Sequence, residues 1–485
     1  MREKFLLWFA ALAAFGGCVF AAFAFDDFSL FSKSPVMLPA RWIDCFRQTR
    51  PLTELTFWLN DALFATSCQL RSPVSWHVVD LILHLAVVTL VWDVLRKLIG
   101  DRAGLIAAAI FAVHPMMTEP VAYVFARATL LAALFSLLAM RAWIAGRFWV
   151  AVVWFAVAML AKEECATVPL VLILLPSKNR LWSRDHRERL YPFLAMLAIA
   201  LIIGLRTLQA AASIQGSGAG VHAGISPLGY FGSQGVVIWR YLRLFVIPWG
   251  FSIDPSLIRP PLRASIQAWV SLGAICLIPF RGRFWFLMGL LLLAPSSSIL
   301  PAADLAADRR MYLPMIAFCA CAGLLLETVD RRAIAAIVLG LIAISIRYSI
   351  LWTSPEALWS EAVHLAPSAV RPRIQLARAL PPERALEELR DAPDTEPVAT
   401  ERGRLLLTLG RPADALSAFG RALALNPNDA RAISNRAVAL AALGSRDVAI
   451  AEFERALGKD ACLSDARENL SKLGVPSSDP QSCRQ

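Results

Sequence analysis

Charge is scarce in this sequence. Only 18% of its 485 residues are Asp, Glu, Lys or Arg, while 57% are hydrophobic. That balance excludes an ordinary water-soluble enzyme and points to a chain that crosses a membrane repeatedly. Zinc-type cysteine spacing is missing too, since the nine Cys form no CxxC pair. So are a P-loop and a dinucleotide-binding glycine fingerprint, which turns the reading away from nucleotide-sugar donors. The formal net charge is +11, but much of it sits in short loops between apolar runs. That pattern orients a membrane protein and leaves no basic face for nucleic acid.

What is abundant is apolar sequence. The runs fall near 5–25, 77–98, 103–118, 127–146, 148–161, 163–176, 191–210, 230–250, 264–280, 284–300, 311–327 and 333–352. The first resembles a signal peptide but is longer than a signal core, so it reads as an uncleaved span. Arg2 and Lys4, then Arg96, Lys97 and Arg102, then Arg141 and Arg147, then the 177–190 loop mark successive inner loops. Segment 230–250 carries Arg240 and Arg243 in its interior. Each would cost roughly 2.5–3.5 kcal/mol at mid-membrane, so this segment reads as re-entrant or interfacial. About eleven spans remain, with the C-terminal part outside. The outer face then collects 26–76, the His114–Glu119 and Lys162–Glu164 turns, 211–229 and 301–310. Cys45 with Cys68, and Cys462 with Cys483, are disulfide candidates if that side is oxidising, and free thiols otherwise.

From about residue 354 the composition becomes soluble. Gly410, Ala415, Phe419 and Leu423 recur as Gly444, Ala449, Phe453 and Leu457, each offset by 34. That period predicts tetratricopeptide helical hairpins. The expected class is therefore all-α. A transmembrane bundle, 1–353, precedes a short α-solenoid, 354–475, with clear repeats at about 400–460 and a disordered tail at 476–485. The concave side of such an array suits an extended peptide or protein partner.

The outer turns carry the chemistry. Asp26–Asp27 follow the first span and would sit at the membrane surface. His77, Asp80 and His84 share one helical face, a candidate metal stripe or a set of interhelical hydrogen bonds. His114, Glu119 and Arg127, then Lys162, Glu163 and Glu164, then Asp308, Arg309, Arg310 and Tyr312 complete the set. Taken singly, each is an ordinary ion-paired or snorkelling residue at a helix end. Together they supply cations for a phosphate and carboxylates for a proton, the needs of a lipid-phosphate sugar transferase.

The blocks FDDFS, RPLTELTFWLN, WHVVDLILH, HPMMTEPVAYVFAR, AMLAKEE and ADRRMYLP, with repeats behind them, resemble the transmembrane and tetratricopeptide-repeat O-mannosyltransferases and their bacterial relatives. These are C-type glycosyltransferases that use polyprenyl-phosphate sugars. The resemblance implies an inverting enzyme moving mannose or another hexose to Ser or Thr of translocated proteins. It implies Asp26 as the base, with Asp27 orienting the acceptor or helping to hold a cation. Arg50, His114, Glu119, Arg127, Lys162 and Glu163 would line the donor pocket, and Arg309 or Arg310 would contact phosphate. A Mg or Mn ion belongs only to metal-dependent members; Asp27, His77, Asp80 and His84 would be its candidates here. The expected location is a bacterial inner membrane, with active face and repeats periplasmic. A lipid or glycan acceptor with the same chemistry, and a non-enzymatic repeat scaffold, are the alternatives. In the scaffold, Asp26→Asn and Asp27→Asn leave function intact.

Overall fold

The computed structural model describes residues 1–28, 30, 42–64, 72–175, 186–213, 224–298, 300–302 and 304–476. Regular structure among them is helical, in two compact units, Met1–Ser354 and Pro355–Gln485. The remainder of the predicted tail, 477–485, lies outside the described residues, as does Cys68.

In the first unit five helices are long and apolar enough to cross a membrane: Arg2–Phe20, Val74–Ile99, Val124–Ile144, Arg187–Ala210 and Arg331–Leu351. A sixth candidate is bent by 53° where Asp101–Val113 meets Pro115–Ala122. Phe148–Ala161, Leu262–Leu277 and Arg283–Leu293 are apolar but shorter. Helix Pro227–Val246 is not among these candidates, and its sequence explains why. Arg240 lies in it and forms a two-pronged ion pair with the buried Asp308, so the mid-helix charge has a fixed partner.

Helix Asp101–Val113 packs tightly on Tyr312–Leu325, and small residues permit it. A Cβ on Gly323 would lie 2.3 Å from the backbone oxygen of Ala103. The backbone cannot yield as a flexible side chain can. Gly323→Ala is therefore expected to destabilise the unit by about 1–3 kcal/mol. A lowered thermal midpoint in detergent, compared with Gly340→Ala in open space, checks this.

In the second unit the 34-residue period becomes hairpins: Glu396–Thr408 with Pro412–Leu425, then Ala430–Ala442 with Arg446–Lys459. Gly410 and Gly444 take φ of +69° and +81° at the turns, a conformation that glycine adopts without strain. Phe419 and Phe453 are buried, as are Ala415 and Ala449. The small residues let paired helices approach and the rings fill what is left. Helices Pro355–Leu365, Val370–Ala379 and Pro382–Glu388 precede these in shorter, proline-broken form. Cys462 is disulfide-bonded; Cys483, its candidate partner by sequence, lies outside the described residues. Cys45 is instead a buried free thiol, which corrects the Cys45–Cys68 option.

Candidate functional site

The site is built on broken backbone. After Val113 the helix stops, because His114 is extended and Pro115 opens a short 3-10 turn. His114 holds this break itself. Its Nδ1 accepts the Met116 N–H at 3.1 Å, and its Nε2 lies 3.1 Å from the Phe245 carbonyl. The chain then makes one short helix, Thr118–Ala122, an extended Tyr123, and a 3-10 turn at Val124–Ala126 before Arg127. Irregular backbone that is buried requires polar partners inside the protein, and here it finds them.

Glu119 faces the Asp308–Met311 turn. It accepts the Arg309 N–H at 2.9 Å and an Arg309 guanidinium N–H at 2.7 Å. The Arg309 guanidinium lies over the Tyr123 ring, 5.6 Å from its centroid. The Tyr123 hydroxyl in turn accepts the backbone N–H of Asp26 at 3.1 Å. The segment that follows the first helix is thus tied to the cation turn through Glu119 and Tyr123.

A second arm comes from the end of helix Phe148–Ala161. Lys162 is extended and buried. Its Nζ lies 2.8 Å from Thr129 Oγ1 and 2.7 Å from Glu164. Arg50 makes two bonds to Glu163, at 2.8 and 3.2 Å. Burial pushes the Glu163 carboxyl up, but the Arg50 charge and its hydrogen bonds outweigh this and bring it down to about 2. Burial lowers Lys162, while Glu164 pulls it back up. Arg50 and Lys162 both feel the charge of Arg309. Arg310 feels Glu164 and Arg309 and lies 3.4 Å from the Tyr230 hydroxyl. Arg50, Lys162, Arg309 and Arg310 therefore form one cluster, interleaved with Glu119, Glu163 and Glu164.

Asp26 and Asp27 occupy different settings. Asp26 is half-buried beside Tyr123. Asp27 is fully buried, and its two oxygens accept N–H groups from Ala24 at 3.0 Å and Phe125 at 2.8 Å. It ties the Phe25–Phe28 turn to the 124–126 turn. Burial pushes its carboxyl up to about 8, against the pull of those two bonds. The unfolded carboxyl loses its proton near the ordinary value of 3.8, whereas the folded one keeps it until about 8. Stability should therefore fall as pH rises through that window. Asp27→Asn is expected to flatten this part of the slope, read as the variant-minus-wild-type difference in thermal midpoint from pH 4 to 8.

Arg127 and His114, expected in the donor pocket, are occupied elsewhere. Arg127 is fully buried, bonded to Asp80 at 2.5 Å, Asn60 at 3.1 Å and the Trp76 carbonyl at 3.0 Å. The Phe57 and Trp76 rings flank its guanidinium, with centroids 5.0 and 5.4 Å away. The candidate metal stripe also disperses. Asp80 pairs with Arg127, His84 lies 2.8 Å from the Tyr312 hydroxyl, and His77 packs on Phe23. Among the described residues no group of three His, Cys, Asp or Glu is placed to hold a metal ion. These residues therefore form no cage for the Mg or Mn ion considered from sequence. Tyr123 and Tyr230 are uncharged and carry no mark of the site in the sequence. Tyr123 stands four residues after Glu119 and four before Arg127, the one local sign that it shares their turn.

Comparison with known proteins agrees with both halves of the resemblance. Residues 55–206 match the family described as dolichyl-phosphate-mannose-protein mannosyltransferase, and residues 400–462 match the tetratricopeptide repeat. The chain is 30% identical over 402 residues to protein O-mannosyl-transferase TMTC4 of Homo sapiens, covering 66% of this chain and 53% of that protein. To the Mus musculus TMTC4 it is 30% identical over 403 residues, with the same coverage. To protein O-mannosyl-transferase F38B6.6 of Caenorhabditis elegans it is 27% identical over 370 residues, covering 68% and 51%. The chain spans about half the length of these curated relatives.

Proposed function

We propose that this chain is an integral-membrane glycosyltransferase that moves mannose, or another hexose, from a polyprenyl-phosphate donor to Ser or Thr hydroxyls of translocated proteins. The observation that carries the reading is the joined cluster of Arg50, Lys162, Arg309 and Arg310 beside Asp26. The names of the relatives supply the protein acceptor.

The cations hold the donor phosphate. Glu119, Glu163 and Glu164 keep them ordered before it arrives. Charge-assisted bonds of this kind are worth about 1.5–3 kcal/mol each. Asp26 takes the proton from the acceptor hydroxyl as its oxygen bonds to the anomeric carbon. The bond from that carbon to the phosphate oxygen breaks, and its electron pair leaves on the lipid phosphate. Attack opposite the leaving group inverts the anomeric centre. Asp27 serves as the clamp that holds the loop, because both its oxygens are already engaged.

The site faces the periplasm of a bacterial inner membrane, and the repeats lie on the same side, where they select the acceptor. The disulfide at Cys462 supports an oxidising compartment for the repeats. An odd number of crossings satisfies that arrangement: the five long helices, the bent pair and the three shorter apolar helices would supply nine among the described residues, and the apolar runs of the sequence about eleven. The test is transfer of labelled mannose from polyprenyl-phosphate mannose by purified protein to a periplasmic protein fraction. Label in protein supports the reading. Label only in lipid or glycan would move the acceptor, and no transfer with a panel of lipid-linked sugars would overturn it.

A further inference from the structure

We propose that Tyr123 is a positioning residue that couples the Asp26 base to the phosphate-holding Arg309, an inference that rests on the glycosyl-transfer reading above. Tyr123 is fully buried, yet every polar contact of its ring and hydroxyl named here leads to the site. The hydroxyl accepts the Asp26 backbone N–H at 3.1 Å. The phenol oxygen thus restrains the backbone of the residue that carries the base. The ring face receives the Arg309 guanidinium at 5.6 Å. That guanidinium is also held by Glu119.

A tyrosine that merely filled the core would need one partner for its hydroxyl and none for its face. This one is also prevented from drifting. Its ring lies 5.9 Å from Trp352 and 6.1 Å from Phe125, and Asp27 pins the Phe125 N–H. The base acts on the acceptor hydroxyl and the cation on the donor phosphate, on opposite sides of one anomeric carbon. A rigid ring between them sets their separation, and rate depends steeply on such placement.

Hydroxyl and ring serve different steps, so they separate in kinetics. The experiment compares full-length wild type, Tyr123→Phe and Tyr123→Leu in the purified transfer assay, with Asp26→Asn alongside. Tyr123→Phe keeps the ring under Arg309 and loses only the bond to the Asp26 N–H. Its kcat should fall about 10- to 100-fold with the donor KM unchanged. Tyr123→Leu also loses the ring face, so its donor KM should rise about 2- to 30-fold as well. Wild-type kcat in Tyr123→Phe, beside an inactive Asp26→Asn, would overturn the role of Tyr123 and leave the enzyme reading standing. Equal changes of kcat and KM in both variants would reduce Tyr123 to packing. An inert wild type across the donor panel would overturn the enzyme reading and this inference together.

Discussion

Asp26→Asn lowers kcat for sugar transfer by about 10²–10⁴-fold, the range removed with a general base. The donor KM stays close to wild type, because Arg50, Lys162, Arg309 and Arg310 are untouched. The melting transition also stays in place, since Asp26 is half-buried at a surface loop and an amide fills the same volume. Asp27→Asn behaves differently. Its two backbone bonds hold the loop to the 124–126 turn, so its loss shows first in stability and in the pH slope. Steady-state kinetics and thermal melts on the two variants separate the roles. Equal kcat in Asp26→Asn and wild type would remove Asp26 as the base.

Arg127→Met costs about 3–5 kcal/mol of stability, the loss expected when one partner of a buried ion pair is removed. Asp80 would be left buried without its counter-ion, with Asn60 and the Trp76 carbonyl losing their donor as well. Thermal midpoints in detergent measure it, and Asp80→Asn in the same chain should recover part of the loss. This prediction separates Arg127 from the donor pocket. An Arg127 variant that folds normally but binds donor poorly would return it there. Arg309→Met has the opposite profile, with donor KM rising more than stability falls, because Arg309 is partly exposed and Glu119 keeps the Arg309 backbone N–H.

Much of this site was legible in the residues. Asp26, Arg50, Glu119, Lys162, Glu163, Arg309 and Arg310 stand out as charges at the ends of apolar runs, where charge is costly without a reason. The structure brings these residues together. Arg127 stands out by the same rule, but its reason is structural. Its counter-ion Asp80 lies 47 positions earlier, and nothing local joins them. The Arg240 problem has the same form, since an isolated Arg in an apolar segment looks interfacial until Asp308 is seen against it. Tyr123 carries no charge, so it gives no such signal.

The sequence by itself determined the membrane unit, the helical repeats and the supply of paired charges. Those follow from composition, from the 34-residue period and from the cost of burying charge, all of which are local. Tertiary structure alone decided which charge meets which. It assigned Arg127 to Asp80, Arg309 to Glu119 and Tyr123, and Arg50 to Glu163. It also separated the half-buried Asp26 from the clamped Asp27, two identical neighbours. A charge declares its need for a partner wherever it stands, but the partner is named only when distant helices pack.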